Sequence, residues 1–358
     1  MHTLLDRREV RISFNWNFTV VSSLEMAHLA VLIILGLLRY TQQLPTEQVQ
    51  VKQGSEVDPA RELNLDLLPS TTCGRYIQNR IVGGQNASLM EFPWIALLGY
   101  VGPAGTDLHC MGTLISARYV LTGATCVFRK VPIFVRLGEH TIGTDKDCNV
   151  NDASDCAPPV QDLDIEYIVR HQSYNLRPNQ NDMALIRLKE EVTFEGIYHI
   201  QPVCLPVSSE LRTNNPAEYI IAGWGQTDPY GEVAATLQKA TVPAVPDRDE
   251  CQRAFGGSSR VNITDRHLCA GERGGADTCN GDSGGPLGYP AQLNGIRFVQ
   301  YGITSFGRLC GQGPEKYTST VWSGMNNNKR CSGGNEGKKC TPSRNFPREG
   351  TTPHTQLH

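Results

Sequence analysis

Neither sign of charge prevails in this chain of 358 residues: 33 Lys and Arg stand against 36 Asp and Glu, a net charge of −3. The basic stripe of a nucleic-acid-binding domain is therefore missing. No two cysteines have the Cys-x-x-Cys spacing of a zinc ribbon. One apolar run stands out, Leu29 to Leu38, and its ten residues fall short of the about 20 that cross a bilayer. No repeat period is visible. What is present is an even set of 12 cysteines, with 35 glycines and 21 prolines. That composition excludes a coiled coil and fits a loop-rich globular protein. Unclustered cysteines in even number point to disulfides, hence to an oxidising compartment and secretion.

The Leu29–Leu38 run suits the apolar core of a signal peptide. It follows an internal methionine, Met26, and residues 1–25 have mixed charge unlike a targeting signal. Met26 therefore reads as the start of the natural chain. No small-x-small cleavage site follows, which leaves an uncleaved signal anchor as the alternative. Residues 1–38 are thus assigned to an N-terminal extension and signal peptide, and 39–80 to a polar pro-segment or linker. From Ile81 to Trp322, short strand-like runs recur between turn residues: IFVRLGEH (133–140), LDIEYIVRH (163–171), DMALIRL (182–188), EYIIAGWG (218–225), IRFVQYGITSFG (296–307). β-branched and aromatic enrichment at this spacing predicts an all-β sandwich or barrel. Residues 323–358 are polar, Gly/Pro-rich and basic, with six Lys or Arg against two Glu. Such a tail buries too little apolar area to order itself and reads as disordered.

Gly281-Asp282-Ser283-Gly284-Gly285-Pro286 is the segment with chemistry in it. A serine between glycines can be an exposed nucleophile whose neighbouring N–H groups reach an oxyanion. The nucleophile elbow of an α/β-hydrolase would need an acid and a histidine downstream. The only histidines beyond Ser283 are His354 and His358, in the polar tail, so that reading fails.

Other segments keep this one company: Arg80-Ile-Val-Gly-Gly84, Pro93-Trp94, Cys110-Met-Gly-Thr-Leu-Ile115, Leu121-Thr-Gly-Ala-Thr-Cys126, Asp182-Met-Ala-Leu185, Gly223-Trp-Gly225 and Asp277-Thr-Cys-Asn-Gly-Asp-Ser-Gly-Gly-Pro286. In this order they resemble the chymotrypsin/trypsin family of serine proteases, from Arg80 to about Tyr317. Within it the chain looks most like the arthropod clip-domain proteases, given Leu67-Leu-Pro-Ser-Thr-Thr-Cys-Gly-Arg-Tyr76 and the acidic insert Asp145–Pro159. The clip module itself needs six upstream cysteines, and only Cys73 is there. The resemblance implies two six-stranded antiparallel β-barrels over 81–322, with the site between them, and neither cofactor nor metal. It implies the pairs Cys110–Cys126, Cys148–Cys156, Cys251–Cys269, Cys279–Cys310 and Cys73–Cys204, with Cys331 and Cys340 left over.

It also implies roles. Ser283 is the nucleophile, Asp182 the acid of the triad, and Gly281 and Ser283 N–H the oxyanion hole. Asp277 is the floor of a pocket for Arg or Lys, lined by Ser305 and Gly307. Cleavage after Arg80 frees the Ile81 ammonium to pair with Asp282, a buried ion-pair switch.

Three departures follow. Thr125 stands at the histidine position, pinned by Cys126 beside it and Cys110 sixteen residues before. A hydroxyl has no useful basicity near pH 7. The remaining histidines, His109, His140, His171, His199 and His267, are expected mostly at the surface. Glu315 stands where a glycine keeps the pocket open. The closing amphipathic helix is missing after Trp322.

The expected function is a secreted zymogen cleaved after Arg80, acting as a non-catalytic homologue in an extracellular proteolytic cascade of the innate-immune kind. The alternative is an active trypsin-like endopeptidase cutting after Arg or Lys. Either needs an upstream trypsin-like activating protease and a protein substrate or cascade partner, and no nucleic acid or membrane span. Asn86-Ala-Ser and Asn262-Ile-Thr are glycosylation acceptors in a secreted chain.

Overall fold

Period-two alternation decides where this chain extends, and the computed structural model shows it most plainly in Ala184–Leu188, whose residues are alternately buried and half-buried. The structure describes residues 49–53, 67–69, 71–76, 84–103, 105–149, 151–176, 180–194, 199–227, 231–255, 261–271, 277–307, 320–324, 330–332 and 339–341, the last three stretches through their backbone alone. Met26 and the apolar run, the Arg80-Ile81 bond, Cys310 and Glu315 lie outside the described residues.

The early strands are β1 (Gln50–Gln53), β2 (Gln85–Asn86), β3 (Ile95–Gly102), β4 (Gly105–Ser116), β5 (Tyr119–Thr122) and β6 (Phe134–Leu137). Next come β7 (Cys148–Asn149), β8 (Asp152–Cys156), β9 (Gln161–Arg170) and β10 (Ala184–Leu188). The later ones are β11 (Glu218–Gly223), β12 (Gln238–Pro243), β13 (His267–Ala270), β14 (Pro286–Gln292), β15 (Ile296–Phe306) and β16 (Thr320–Gly324). Two short helices, Ser209–Thr213 and Arg248–Ala254, are capped by Ser208 and Asp247 side chains accepting backbone N–H groups.

Strands β9-β10-β5-β4-β3-β6 pair in that order and β6 returns to β9, closing a six-stranded barrel. Its interior is filled by Leu98, Leu114, Val120, Val135, Leu137, Ile168 and Ile186, all fully buried. This is the first of the two expected barrels. The second sheet runs β13-β16-β15-β14-β11-β12-β2. Its two sides meet through one bridge, Ala244 to Ala270, with Val245 N–H donating to Cys269 O and Gly271 N–H to Pro243 O. β13, paired along its length with β16, meets the end of β12 at that one bridge, so among the described residues no full closing ladder forms.

Four expected disulfides are present: Cys73–Cys204, Cys110–Cys126, Cys148–Cys156 and Cys251–Cys269. Cys279 is disulfide-bonded as well. The acidic insert is the hairpin β7–β8, closed at its Cys148–Cys156 pair. Its root is fastened by Asp147, whose carboxylate accepts from His140 N–H, Thr141 N–H and the Thr144 hydroxyl at 2.8–3.2 Å.

Two stretches read as irregular contain strands. The linker carries β1, which pairs parallel with β9. Residues 330–332 and 339–341 pair antiparallel, with Cys331 opposite Cys340. Among the described residues no helix is long and apolar enough to cross a membrane.

Candidate active site

Pairing of β5 with β10, Thr122 opposite Ala184, carries the ends of the two strands to one place. A 3-10 turn, Ala124–Val127, follows β5, and Asp182 lies two residues before β10. Thr125 N–H accordingly donates to Asp182 Oδ1 at 2.7 Å. The Ser305 hydroxyl, near the end of β15, donates to Oδ2 at 2.5 Å. Ala124 N–H adds a third bond. Asp182 is buried, and desolvation raises its pKa against the pull of these three donors.

The Thr125 side chain has its own partner in a hydrogen bond with Tyr174. Burial first, then the charge of Asp182, pushes the Tyr174 phenol up to about 12. Phe128 packs edge-on against Tyr174 at 5.6 Å, and the Arg170 guanidinium lies 5.0 Å over the Phe128 ring. Sequence reasoning did not find Tyr174, because nothing local ties it to Thr125. It also placed Ser305 only in the pocket wall, whereas its hydroxyl fixes Asp182.

The serine loop is held by backbone. Ser283 C=O accepts from Met111 N–H at 2.7 Å and lies 3.4 Å from Cys126 Sγ. Gly284 N–H donates to Thr304 O, and Thr304 N–H to Gly285 O, both at 2.9 Å. Gly284 takes φ +85° with its Cα against Met111 O, where any side chain would collide. Gly123 joins the halves: a Cβ there would lie 3.4 Å from Asp182 Oδ1 and Thr125 Cγ2 and 3.7 Å from Gly284 Cα. Thr125, Asp182 and the Ser283 loop thus share one site.

Asp282 is buried and accepts from Gly225 N–H and Cys279 N–H, each at 2.8 Å. Its carboxylate fills the space where side chains of residues 223 and 225 would project. That is the steric reason for glycine on both sides of Trp224. Desolvation pushes its pKa up to about 6, against the two backbone donors. No cationic side chain among the described residues forms an ion pair with it.

Half-buried Asp277 accepts from its neighbour's N–H, Thr278, at 2.8 Å. Gly307 is exposed. Phe306 packs on Phe255 and His267.

The expectation of surface histidines is corrected. His199 and His267 are buried, and His109, His140 and His171 are half-buried. His109 stacks on Tyr100 at 3.8 Å between centroids. His199 faces Pro159 O at 3.2 Å, and His267 bonds the Thr264 loop. Each imidazole sits in its own local packing, and none of the five bonds Asp182. Among the described residues no group of His, Cys, Asp or Glu is arranged to hold a metal ion.

A closed β-barrel, a second sheet and a serine loop facing a buried aspartate define a class, the trypsin-like serine proteases. The chain belongs to the trypsin family, whose model matches residues 81–322. Over 253 residues it is 39% identical to the CLIP domain-containing serine protease HP8 of Bombyx mori, covering 67% of this chain and 66% of that protein. Serine protease grass of Drosophila melanogaster is 38% identical over 249 residues, covering 67% and 64%. The chain therefore spans just under two-thirds of the length of these relatives. The crystal structure of the Drosophila Grass clip serine protease of the Toll pathway superposes with a TM-score of 0.64 at 34% identity, covering 73% of this chain and 74% of that one.

Proposed function

We propose that this protein is a secreted, non-catalytic member of the trypsin family: a zymogen cut after Arg80 by a trypsin-like enzyme, which then binds a partner in an extracellular proteolytic cascade. The observation that carries the reading is Thr125 beside Asp182. Thr125 N–H, Ala124 N–H and the Ser305 hydroxyl bond the Asp182 carboxylate, and among the described residues no imidazole does. The threonine hydroxyl is engaged by Tyr174. Among the described residues no imidazole then stands by Asp182 to accept the Ser283 proton, and what remains is oxyanion stabilisation, worth about 10³–10⁴-fold over water. The cascade role rests on the company of relatives, among them the Drosophila Grass clip serine protease of the Toll pathway. Exposed Asn86 and Asn262 suit glycosylation and an extracellular setting.

The second reading, an Arg- or Lys-directed endopeptidase, is favoured by the intact packing around Asp282 and Ser283. Purified protein cut after Arg80 separates the two. The non-catalytic reading expects no measurable hydrolysis of Arg or Lys esters. Robust hydrolysis abolished by Ser283→Ala would establish the second.

A further inference from the structure

The outer edge of β9 changes partner partway along. Residues 161–164 pair with β6. Across a bulge that falls between Ile165 and Tyr167, the same edge from Tyr167 to Arg170 pairs with β1 in parallel register, Gln50 opposite Tyr167 and Gln53 opposite Arg170. Beyond β6 that edge would otherwise present unpaired N–H and C=O groups, a template for a strand. Its occupant fits by pattern. Val49 and Val51 are half-buried and pack on the barrel core, while Gln50 and Lys52 are exposed. The Lys52 ammonium lies 4.5 Å over the Tyr167 ring. Gln48-Val-Gln-Val-Lys-Gln53 alternates at period two and is followed by Gly54.

A second, separate attachment lies downstream. Cys73 is bonded to Cys204, Gly74 N–H donates to Pro202 O at 2.8 Å, and Phe298 N–H donates to Gly74 O at 2.7 Å. The segment preceding Arg80 is therefore fixed to the barrel at one point and to β15 of the second sheet at another.

We propose that the Tyr167–Arg170 edge of β9 is a strand-docking site whose occupant is the chain's own Gln50–Gln53, and that this docking retains the N-terminal segment after cleavage independently of the Cys73–Cys204 disulfide. The retention half rests on the cleavage after Arg80 proposed above; the docking half does not. Main-chain pairing supplies the affinity, and the two inward valines set the register.

Hydrogen exchange on the full, uncut chain tests the docking. Val51→Pro and Lys52→Pro are compared, since one of the two must remove a ladder donor. At least one should speed exchange in the Tyr167–Arg170 peptide by about tenfold or more, leaving the Phe298–Ile303 peptide unchanged. Val51→Asp, which keeps the backbone donor, should do the same by losing the apolar contact. Exchange at Tyr167–Arg170 unmoved by all three variants overturns the proposal. For retention, the Cys73→Ala/Cys204→Ala chain is cut with a trypsin-like enzyme, and the cut is verified on a denaturing gel. The N-terminal fragment should co-elute with the domain in size exclusion and be lost on adding Val51→Asp. A fragment that separates without that change, or stays despite it, overturns retention. A chain that resists cutting overturns the activation reading and leaves the exchange result standing.

Discussion

Two halves of one cleft have been treated differently in this molecule. Around Ser283 several close packing features are in place. Glycines occur where side chains would collide, the serine carbonyl is fixed by Met111, and Asp282 is held by two backbone donors. On the other side, Thr125, which the proposed function places at the position of the base, is bonded to Tyr174. The contrast is between shape and protons. Shape on the serine side depends on many small contacts. Proton transfer depends on one ring. In the non-catalytic reading proposed above, the site stops turning over while still presenting a cleft of nearly unaltered form.

The strongest way to break the contrast is to return the ring. Thr125→His should raise ester hydrolysis by the cleaved protein by about 10²–10⁴-fold, the usual contribution of a general base, because Asp182 is already placed to orient it. If Glu315 closes the pocket, the gain should appear only when Glu315→Gly is added, far beyond the two single effects together. No gain in either background would show that the serine side is also impaired.

Next in size is the serine side itself. Gly284→Ala forces a Cβ against Met111 O at φ +85°, and should destabilise by about 3 kcal/mol or more in denaturant unfolding. Asp282→Ala leaves two buried N–H groups unpaired, at a cost of about 2–4 kcal/mol by the same measurement. Thr125→Ala, on the rebuilt side, should cost only about 1 kcal/mol, because it removes one hydroxyl bond and keeps the Asp182 contact from the backbone. If Thr125→Ala proved as damaging as Gly284→Ala, the two halves would not differ as described.

A further effect is one of slope. In the uncleaved chain the Asp282 carboxyl has its folded pKa raised to about 6, above its ordinary value of 3.8. The folded state then binds more protons than the unfolded one between those two values. Stability from this group is complete below the lower value and is lost as pH rises through the upper one, by an amount on the order of 3 kcal/mol. Asp282→Asn should flatten that part of the stability–pH curve. Cleavage after Arg80, by supplying a cation, should flatten it too. A cleaved protein with an unchanged slope would count against the Ile81–Asp282 pairing.

Local information made the serine loop readable from sequence. Gly281, Gly284, Gly285, Cys279 and Asp282 lie within a few residues of Ser283, and their conformational needs are written beside them. The strands were readable for a similar reason, since alternation in β9 and β10 is a property of each strand alone; the choice of a barrel over a sandwich came from the family resemblance. What failed to show depended on distant partners. Strand β1 is four residues long, and its alternation means little until the free edge of β9 is known. His199 and His267 are buried by segments remote in sequence, so polarity alone placed them wrongly at the surface. The bonds from Tyr174 to Thr125 and from Ser305 to Asp182 join residues 49 and 123 positions apart, beyond any local pattern.

The fastening of the acidic insert has a practical side. Asp147 ties the base of the β7–β8 hairpin to the barrel, and the Cys148–Cys156 bond closes the stem directly above it. Of the seven residues in between, the described ones make their hydrogen bonds within the hairpin. The hairpin end suits a display tip. Foreign peptides could be grafted there, with the stem absorbing their conformational freedom before it reached the barrel wall.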